Sequence, residues 1–209
     1  MKKVFLAMAM MLVSVAGFSQ LRLDARLGMS MTNYTKSDGL DMKVGYLAGI
    51  GLDYAFNDMW SFQSGVMFTG KGAKVSTTAD DIDVTVKIKP NYMDIPLMAA
   101  LKLPVADDVK FVINAGPYMG IGLGGKYTAK GSDGSMALTE SKKMFSDDSS
   151  NIIAFSKAKR FDLGLQYGVG AELGDHYLLN LNGQYGFISP WDNSDSKNLA
   201  FYLTVGYRF

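Results

Sequence analysis

The final nine residues of the chain, from Phe201 to Phe209, alternate large apolar side chains with smaller or polar ones. Because successive side chains of a β-strand point to opposite faces, one face of this segment is wholly apolar. That face carries Phe201, Leu203, Val205, Tyr207 and Phe209. It needs an apolar partner, which is either the second sheet of a soluble sandwich or the lipid around a membrane-spanning barrel.

The same alternation recurs in seven earlier segments, so the sequence predicts eight strands. Each has about ten residues, which is the length that a tilted strand needs to cross a bilayer. The segments begin near Leu21, Lys43, Trp60, Val84, Phe111, Phe161, Tyr177 and Phe201.

The fourth predicted strand is irregular. Its apolar positions are even from Val84 to Ile88 but odd from Ile95 to Leu101. We expect a slip at Pro90–Asn91, because proline cannot donate to the ladder and is tolerated at bulges.

The connections between the predicted strands alternate between short and long. Short ones fall at Phe56–Asp58, Leu103–Asp108 and Gly174–Asp175, and long polar loops fall at Thr32–Asp41, Gly70–Asp83, Gly124–Ser156 and Ser189–Lys197. Aromatic residues cluster at the strand ends, as lipid headgroups favour. These patterns predict an all-β protein, an eight-stranded antiparallel up-and-down transmembrane β-barrel with its short turns on the periplasmic rim.

The amino-terminal residues have the pattern of a secretory signal peptide. Lys2 and Lys3 precede an apolar run that is too short for a spanning helix, and small residues follow up to Ser19. We expect residues 1–19 to be the signal peptide, although cleavage after Ala16 or Gln20 also fits. Residues 20–209 then form one barrel domain, exported to the outer membrane.

Composition excludes several classes of function. The chain has 21 basic and 20 acidic residues, so it lacks the basic excess that nucleic-acid binding needs. It has no cysteine, which excludes disulfides, thiol catalysis and thiolate metal sites. No loop has the ligand spacing of an EF-hand, and the sequence predicts neither a metal site nor a cofactor.

The inward faces of the predicted strands carry charges of both signs. The predicted lumen network consists of Arg22, Asp24, Arg26, Asp94, Asp162, Glu172 and Arg208, with Asp53, Gln63 and Gln166 on the same faces. Eight strands enclose an interior just wide enough for side chains, and opposite charges confined there should pair. The network is therefore either a structural plug or, as the alternative, the lining of a narrow solute path.

Catalysis and surface binding depend on other residues. The single histidine, His176, falls at a short periplasmic turn, where a solvated role is the ordinary one, so we expect no catalytic site. The long loops, together with Lys71, Lys74, Lys157, Lys159 and Arg160, make a cationic outer rim. These cations could pair with lipopolysaccharide phosphates.

Four short motifs, in this order and spacing, make the chain similar to the PorT-like, or porin-family, outer-membrane β-barrel proteins. They are Tyr92–Leu97 (YMDIPL), Ala115–Tyr118 (AGPY), Phe161–Gly164 (FDLG) and the closing Gly206–Phe209 (GYRF). The resemblance implies an outer-membrane location and insertion by the barrel-assembly machinery, which reads the terminal strand. It makes Phe201, Leu203, Val205, Tyr207 and Phe209 the expected assembly signal. It does not imply one activity, since fold does not fix function.

The sequence thus predicts a non-enzymatic outer-membrane barrel with a structural, surface-interaction or narrow-channel role. Its expected partners are outer-membrane lipid, lipopolysaccharide and the assembly machinery, with no nucleic acid. One alternative is a soluble secreted lipocalin-like barrel that binds a small apolar ligand and keeps its apolar faces inside. A second alternative is an outer-membrane lipid-modifying enzyme.

Overall fold

The computed structural model describes residues 20–35, 41–79, 82–132, 137–143, 145, 158–191 and 195–209. These ranges contain ten strands: β1 (Leu21–Tyr34), β2 (Asp41–Ala55), β3 (Trp60–Gly70), β4 (Ala73–Ala79), β5 (Ile82–Ala106), β6 (Val109–Ser132), β7 (Ala137–Lys143), β8 (Phe161–Leu173), β9 (Tyr177–Gly186) and β10 (Asn198–Arg208). Within the described ranges, no helix is long and apolar enough to cross a membrane. The predicted signal peptide, residues 1–19, lies outside them.

Eight of the strands close into a ring. Each of β1, β2, β3, β5, β6, β8, β9 and β10 pairs antiparallel with the next in this order. The last strand then pairs with the first, in a register that runs from Asp24 opposite Arg208 to Tyr34 opposite Asn198. The predicted eight-stranded up-and-down barrel is confirmed.

The apolar faces of the strands point away from the barrel axis. On β10, Phe201, Leu203, Val205 and Tyr207 are exposed, while the alternate residues Tyr202 and Thr204 are buried. A soluble barrel requires the opposite arrangement, with apolar side chains inside. The outward faces therefore match a lipid environment and exclude the lipocalin-like alternative.

The predicted slip in the fourth strand is found where the sequence placed it, but it has a different form. Pairing between β5 and β6 shifts register between Asn91 and Tyr92, because Leu123 of β6 has no partner on β5. The alternation within β5 continues unbroken, and its even residues are buried from Ile88 to Lys102. The apolar parity changes because Ile88 faces an interior cluster, whereas the odd residues beyond Ile95 face outward.

Two of the predicted long loops are wrong in part. The 70–83 segment contains β4, which forms a hairpin with β5, and the 124–156 segment contains the end of β6 and all of β7. These hairpins extend one wall of the barrel beyond the ring on the long-loop side. The sequence also ends the first strand too early, since β1 continues to Tyr34.

A bent connection, Gly70–Gly72, joins the ring strand β3 to the extension. Side chains from neighbouring strands bind its carbonyl groups: Ser30 donates to Gly70 O at 2.8 Å, and Thr32 donates to Gly72 O at 2.8 Å. Gly72 has φ of +129°, and a Cβ placed there would lie 1.9 Å from Ile88 O. Only glycine fits this position without strain, and the bend turns Lys71 toward the lumen.

Candidate functional site

The lumen near the short-turn rim is filled by a buried ion-pair network. Lys102 Nζ lies 2.7 Å from Asp53 Oδ2 and 2.9 Å from Glu172 Oε1. Arg208 makes two hydrogen bonds to the same glutamate, at 2.7 and 2.8 Å. Asp24 is fully buried and is bound by Arg26 Nε at 2.5 Å. Charges from β1, β2, β5, β8 and β10 are therefore neutralised across the lumen.

A second buried network lies nearer the long-loop rim and is centred on Lys71. Its Nζ lies 3.0 Å from Asp94 Oδ2 and 3.6 Å from Asp162 Oδ2. Tyr118 donates a hydrogen bond to Asp162 at 2.9 Å. The ammonium also lies 5.0 Å from the ring centroid of Tyr118 and 4.9 Å from that of Tyr92, which is close enough for cation–π attraction.

Amide side chains occupy the lumen between the two networks. Asn182 donates to Asn114 at 3.1 Å, and Asn114 donates to Gln63 at 3.2 Å. Gln184 accepts a hydrogen bond from Tyr202 at 2.7 Å. The cavity beside this layer has a volume of about 20 Å³. That is little more than one water molecule needs.

An apolar cluster covers the lumen at its outer end. Its buried members are Tyr34, Ala73, Ile88, Tyr92, Tyr127, Phe145 and Ala158. Trp191 packs against the cluster, with its ring centroid 4.6 Å from that of Tyr34, and donates a hydrogen bond to Tyr127 at 2.8 Å. Residues from β1, β4, β5 and β6 thus meet above the ion pairs.

The sequence-predicted network residues divide into two groups. Asp24, Asp94, Asp162, Glu172 and Arg208 are all buried in the lumen, with Arg26 beside Asp24. Arg22 lies at the periplasmic end of β1 opposite Asp53, and it is only half-buried. The structure brings the first group into ion pairs and leaves Arg22 at the mouth.

The two lysines that complete the networks were not predicted there. The sequence placed Lys71 on the outer rim, which is wrong: the bend at Gly72 turns it inward, where it is 1% exposed. Lys102 went unnoticed, although it continues the even, inward parity of Met98 and Ala100. That parity was the signal that could have found it.

His176 lies outside the lumen, at the turn between β8 and β9. Its Nδ1 is 2.9 Å from Arg208 O, and its ring stacks on Tyr207 with centroids 5.4 Å apart. Tyr207 also makes edge contacts with Tyr177 and Phe209. The histidine belongs to an aromatic cluster on the periplasmic rim.

A groove of about 960 Å³ lies where the extension leaves the ring. Six cationic side chains line it, and none of the described residues that line it is a carboxylate. The cations are Lys43, Lys74, Lys87, Lys89, Lys126 and Arg160. Apolar residues complete the lining, among which Val44, Tyr46 and Leu123 are exposed.

The cations of the groove are close to one another. Lys74 stands directly opposite Lys87 across β4 and β5, and Lys89 stands directly opposite Lys126 across β5 and β6. Lys43 donates to Lys71 O at 2.8 Å. The groove therefore concentrates positive charge.

The outward apolar faces, the aromatic rims and the ion-paired interior define a transmembrane β-barrel of an outer membrane. Residues 14–190 match the family described as "Outer membrane protein beta-barrel domain". The match covers most of the chain, which therefore belongs to this family. No curated protein matches the chain.

Solved structures of outer-membrane barrels are similar to the chain over most of its length. Ail, the attachment invasion locus protein of Yersinia pestis, is 18% identical over 90% of this chain and 98% of its own, with a TM-score of 0.38. Neisserial surface protein A (NspA) is 16% identical over 91% and 96%, with a TM-score of 0.44. OprG of Pseudomonas aeruginosa is 15% identical over 90% and 95%, with a TM-score of 0.43.

Proposed function

We propose that this outer-membrane barrel is a non-enzymatic membrane anchor that presents a binding surface on its outer side. The observation that carries the proposal is the position of Lys102 between Asp53 and Glu172. Because separating these charges would leave uncompensated buried ions, the network favours a permanent plug over a channel. The amide layer and the apolar cluster above it support the same function.

The outer side of the barrel provides the binding surface in this proposal. The hairpins of β4–β5 and β6–β7 extend the wall on the long-loop side, and the cationic groove lies at their base. A surface-interaction role therefore fits better than a solute path. The buried, ion-paired carboxylates and the rim position of His176 argue against a lipid-modifying enzyme.

We also propose that the chain is a PorT-like member of the family, and we propose a route by which it reaches the membrane. The four motifs support a PorT-like member of the family. A signal peptide over residues 1–19 would export the chain, and the assembly machinery would then insert residues 20–209. The apolar face of β10 would serve as the recognition signal, because it lies on the lipid side.

Reconstitution into planar bilayers tests the anchor role. We expect no large steady conductance from the purified barrel, because both networks block the lumen. Heat-modifiable migration on gels confirms insertion in the same sample. Porin-sized openings from inserted protein would contradict the proposal and favour the channel alternative.

A further inference from the structure

We propose that the groove at the base of the extension binds the phosphate groups of an outer-leaflet lipid, with lipopolysaccharide as the occupant. The inference rests on the outer-membrane anchor described above and names the partner of its outer surface. Four properties of the groove carry it: its charge, its cross-strand lysine pairs, its position and its shape.

The positive charge of the groove favours binding of an anion. Six cations converge on one concave surface without a carboxylate among the described lining residues. Lysine and arginine bind phosphate through charge-assisted hydrogen bonds. A phosphorylated ligand would supply negative charge that the described lining lacks, although Asp41 of β2 stands opposite one of the cations, Lys74.

The lysine pairs make the bare groove unfavourable. Like charges directly opposite on neighbouring strands destabilise a sheet, and this groove has two such pairs, Lys74 with Lys87 and Lys89 with Lys126. An anion bound between the two pairs would attract the lysines of both and so offset the repulsion within each pair. This arrangement distinguishes the groove from a rim of scattered, solvated lysines.

The position of the groove identifies a lipid as the occupant. Lys89 and Asn91 are exposed on the same side of β5, and Tyr46, whose hydroxyl hydrogen-bonds to Asn91 at 3.3 Å, belongs to the lipid-facing side of β2. Lys89 lies two residues further out, or about 7 Å along the strand. The cations therefore stand just above the apolar band, at the level of lipid headgroups.

The shape of the groove admits a large headgroup. Its wall includes Gly124, which leaves space between the cations open. A Cβ placed on Gly124 would meet nothing within 4 Å. The exposed side chains of Val44 and Leu123 provide an apolar border for acyl chains next to the phosphate site.

The decisive experiment compares two forms of one lipid on the full-length protein. Purified lipopolysaccharide and its enzymatically dephosphorylated form are titrated against detergent-solubilised barrel, and retained lipid is measured. The triple variant K87Q/K89Q/K126Q should weaken binding of the phosphorylated form by about 100-fold, since each lysine near a charged lipid surface contributes about 1 kcal/mol. K110Q, which removes a cation at the opposite rim, should leave binding unchanged.

A steric variant tests the groove without changing its charge. Gly124→Trp should block the lipid while all six cations remain, because its side chain extends into the open groove. Equal binding of both lipid forms, or equal losses in K87Q/K89Q/K126Q and K110Q, would overturn the proposal. Inorganic phosphate that competes as strongly as the lipid would also overturn it, since the occupant would then be a free anion.

Heat-modifiable migration of every variant separates this inference from the function on which it rests. A variant that inserts normally but no longer retains lipopolysaccharide supports the groove. A wild-type protein that does not insert would contradict the outer-membrane anchor itself.

Discussion

Lys102 contacts Asp53 and Glu172 through a single ammonium group, at 2.7 and 2.9 Å, and so joins strands on three sides of the lumen. These strands, β5, β2 and β8, are not all neighbours in the ring. The side chains therefore tie the barrel together across its interior, in addition to the hydrogen bonds that run around its wall.

Removal of this ammonium group should destabilise the barrel. In Lys102→Met, Asp53 and Glu172 keep their charges but lose a shared partner, which costs about 3–5 kcal/mol for a buried pair. Urea unfolding in lipid vesicles measures the loss. Lys159→Met, at an exposed lysine that belongs to neither buried network, should have little effect, and equal stability of the two variants would contradict the assigned role of Lys102.

Glu172 and Arg208 should be energetically coupled. Their two hydrogen bonds, at 2.7 and 2.8 Å, predict a coupling energy of roughly 1–3 kcal/mol in a double-mutant cycle. The cycle uses Glu172→Gln, Arg208→Met and the double variant, with unfolding free energies as the readout. Additive effects would show that the two side chains do not act as a pair.

The bend at Gly72 gives a matched pair of glycine variants. Gly72→Ala should cost roughly 1–3 kcal/mol, because φ is +129° and the added Cβ would meet Ile88 O at 1.9 Å. Gly124→Ala should be tolerated, since its Cβ would meet nothing within 4 Å. Both are measured by unfolding in vesicles. A neutral Gly72→Ala would show that the bend is not needed to hold Lys71 inside.

The terminal phenylalanine should matter for insertion more than for export. Phe209 N donates to Leu23 O at 3.0 Å, and its ring packs against Tyr207, so deletion removes both a closing contact and a rim aromatic. Fractionation measures export, and heat-modifiable migration measures insertion. Phe56→Ala, at an exposed phenylalanine on the same rim, serves as the control. Normal insertion of the deletion variant would count against an assembly signal at this end.

Strand alternation predicted most of the barrel. Successive residues of a ring strand face lipid outside and charged side chains inside, so apolar and polar residues alternate along it. The same rule failed for β4 and β7, where the wall continues beyond the ring. In β4, Val75 and Thr77 alternate with Lys74, Ser76 and Thr78. The segment has too few apolar residues to indicate a strand with an apolar outward face, so its sequence resembles that of a polar loop. Without lipid to face, these strands lack the signal that reveals the others.

The site was less predictable than the fold. Residues on regular strands, such as Asp24 and Glu172, could be assigned to the lumen from parity alone. Lys71 could not, because its direction depends on the Gly70–Gly72 bend, which only the three-dimensional path of the chain defines. The groove was also not predicted, because its cations come from four strands, β2, β4, β5 and β6, and from a segment preceding β8.

Arg208 belongs to β10, the strand that closes the ring against β1, and so links charge balance in the lumen to closure of the barrel. Glu172 and Asp53 belong to β8 and β2, so they are made earlier in the chain, but their shared guanidinium arrives only with the final strand. Until β10 joins the barrel, Glu172 and Asp53 lack this guanidinium, and the lumen holds excess negative charge. The lumen therefore reaches charge balance in the same step in which β10 closes the ring. Partly paired intermediates are less stable for this reason, and the last step of folding is cooperative.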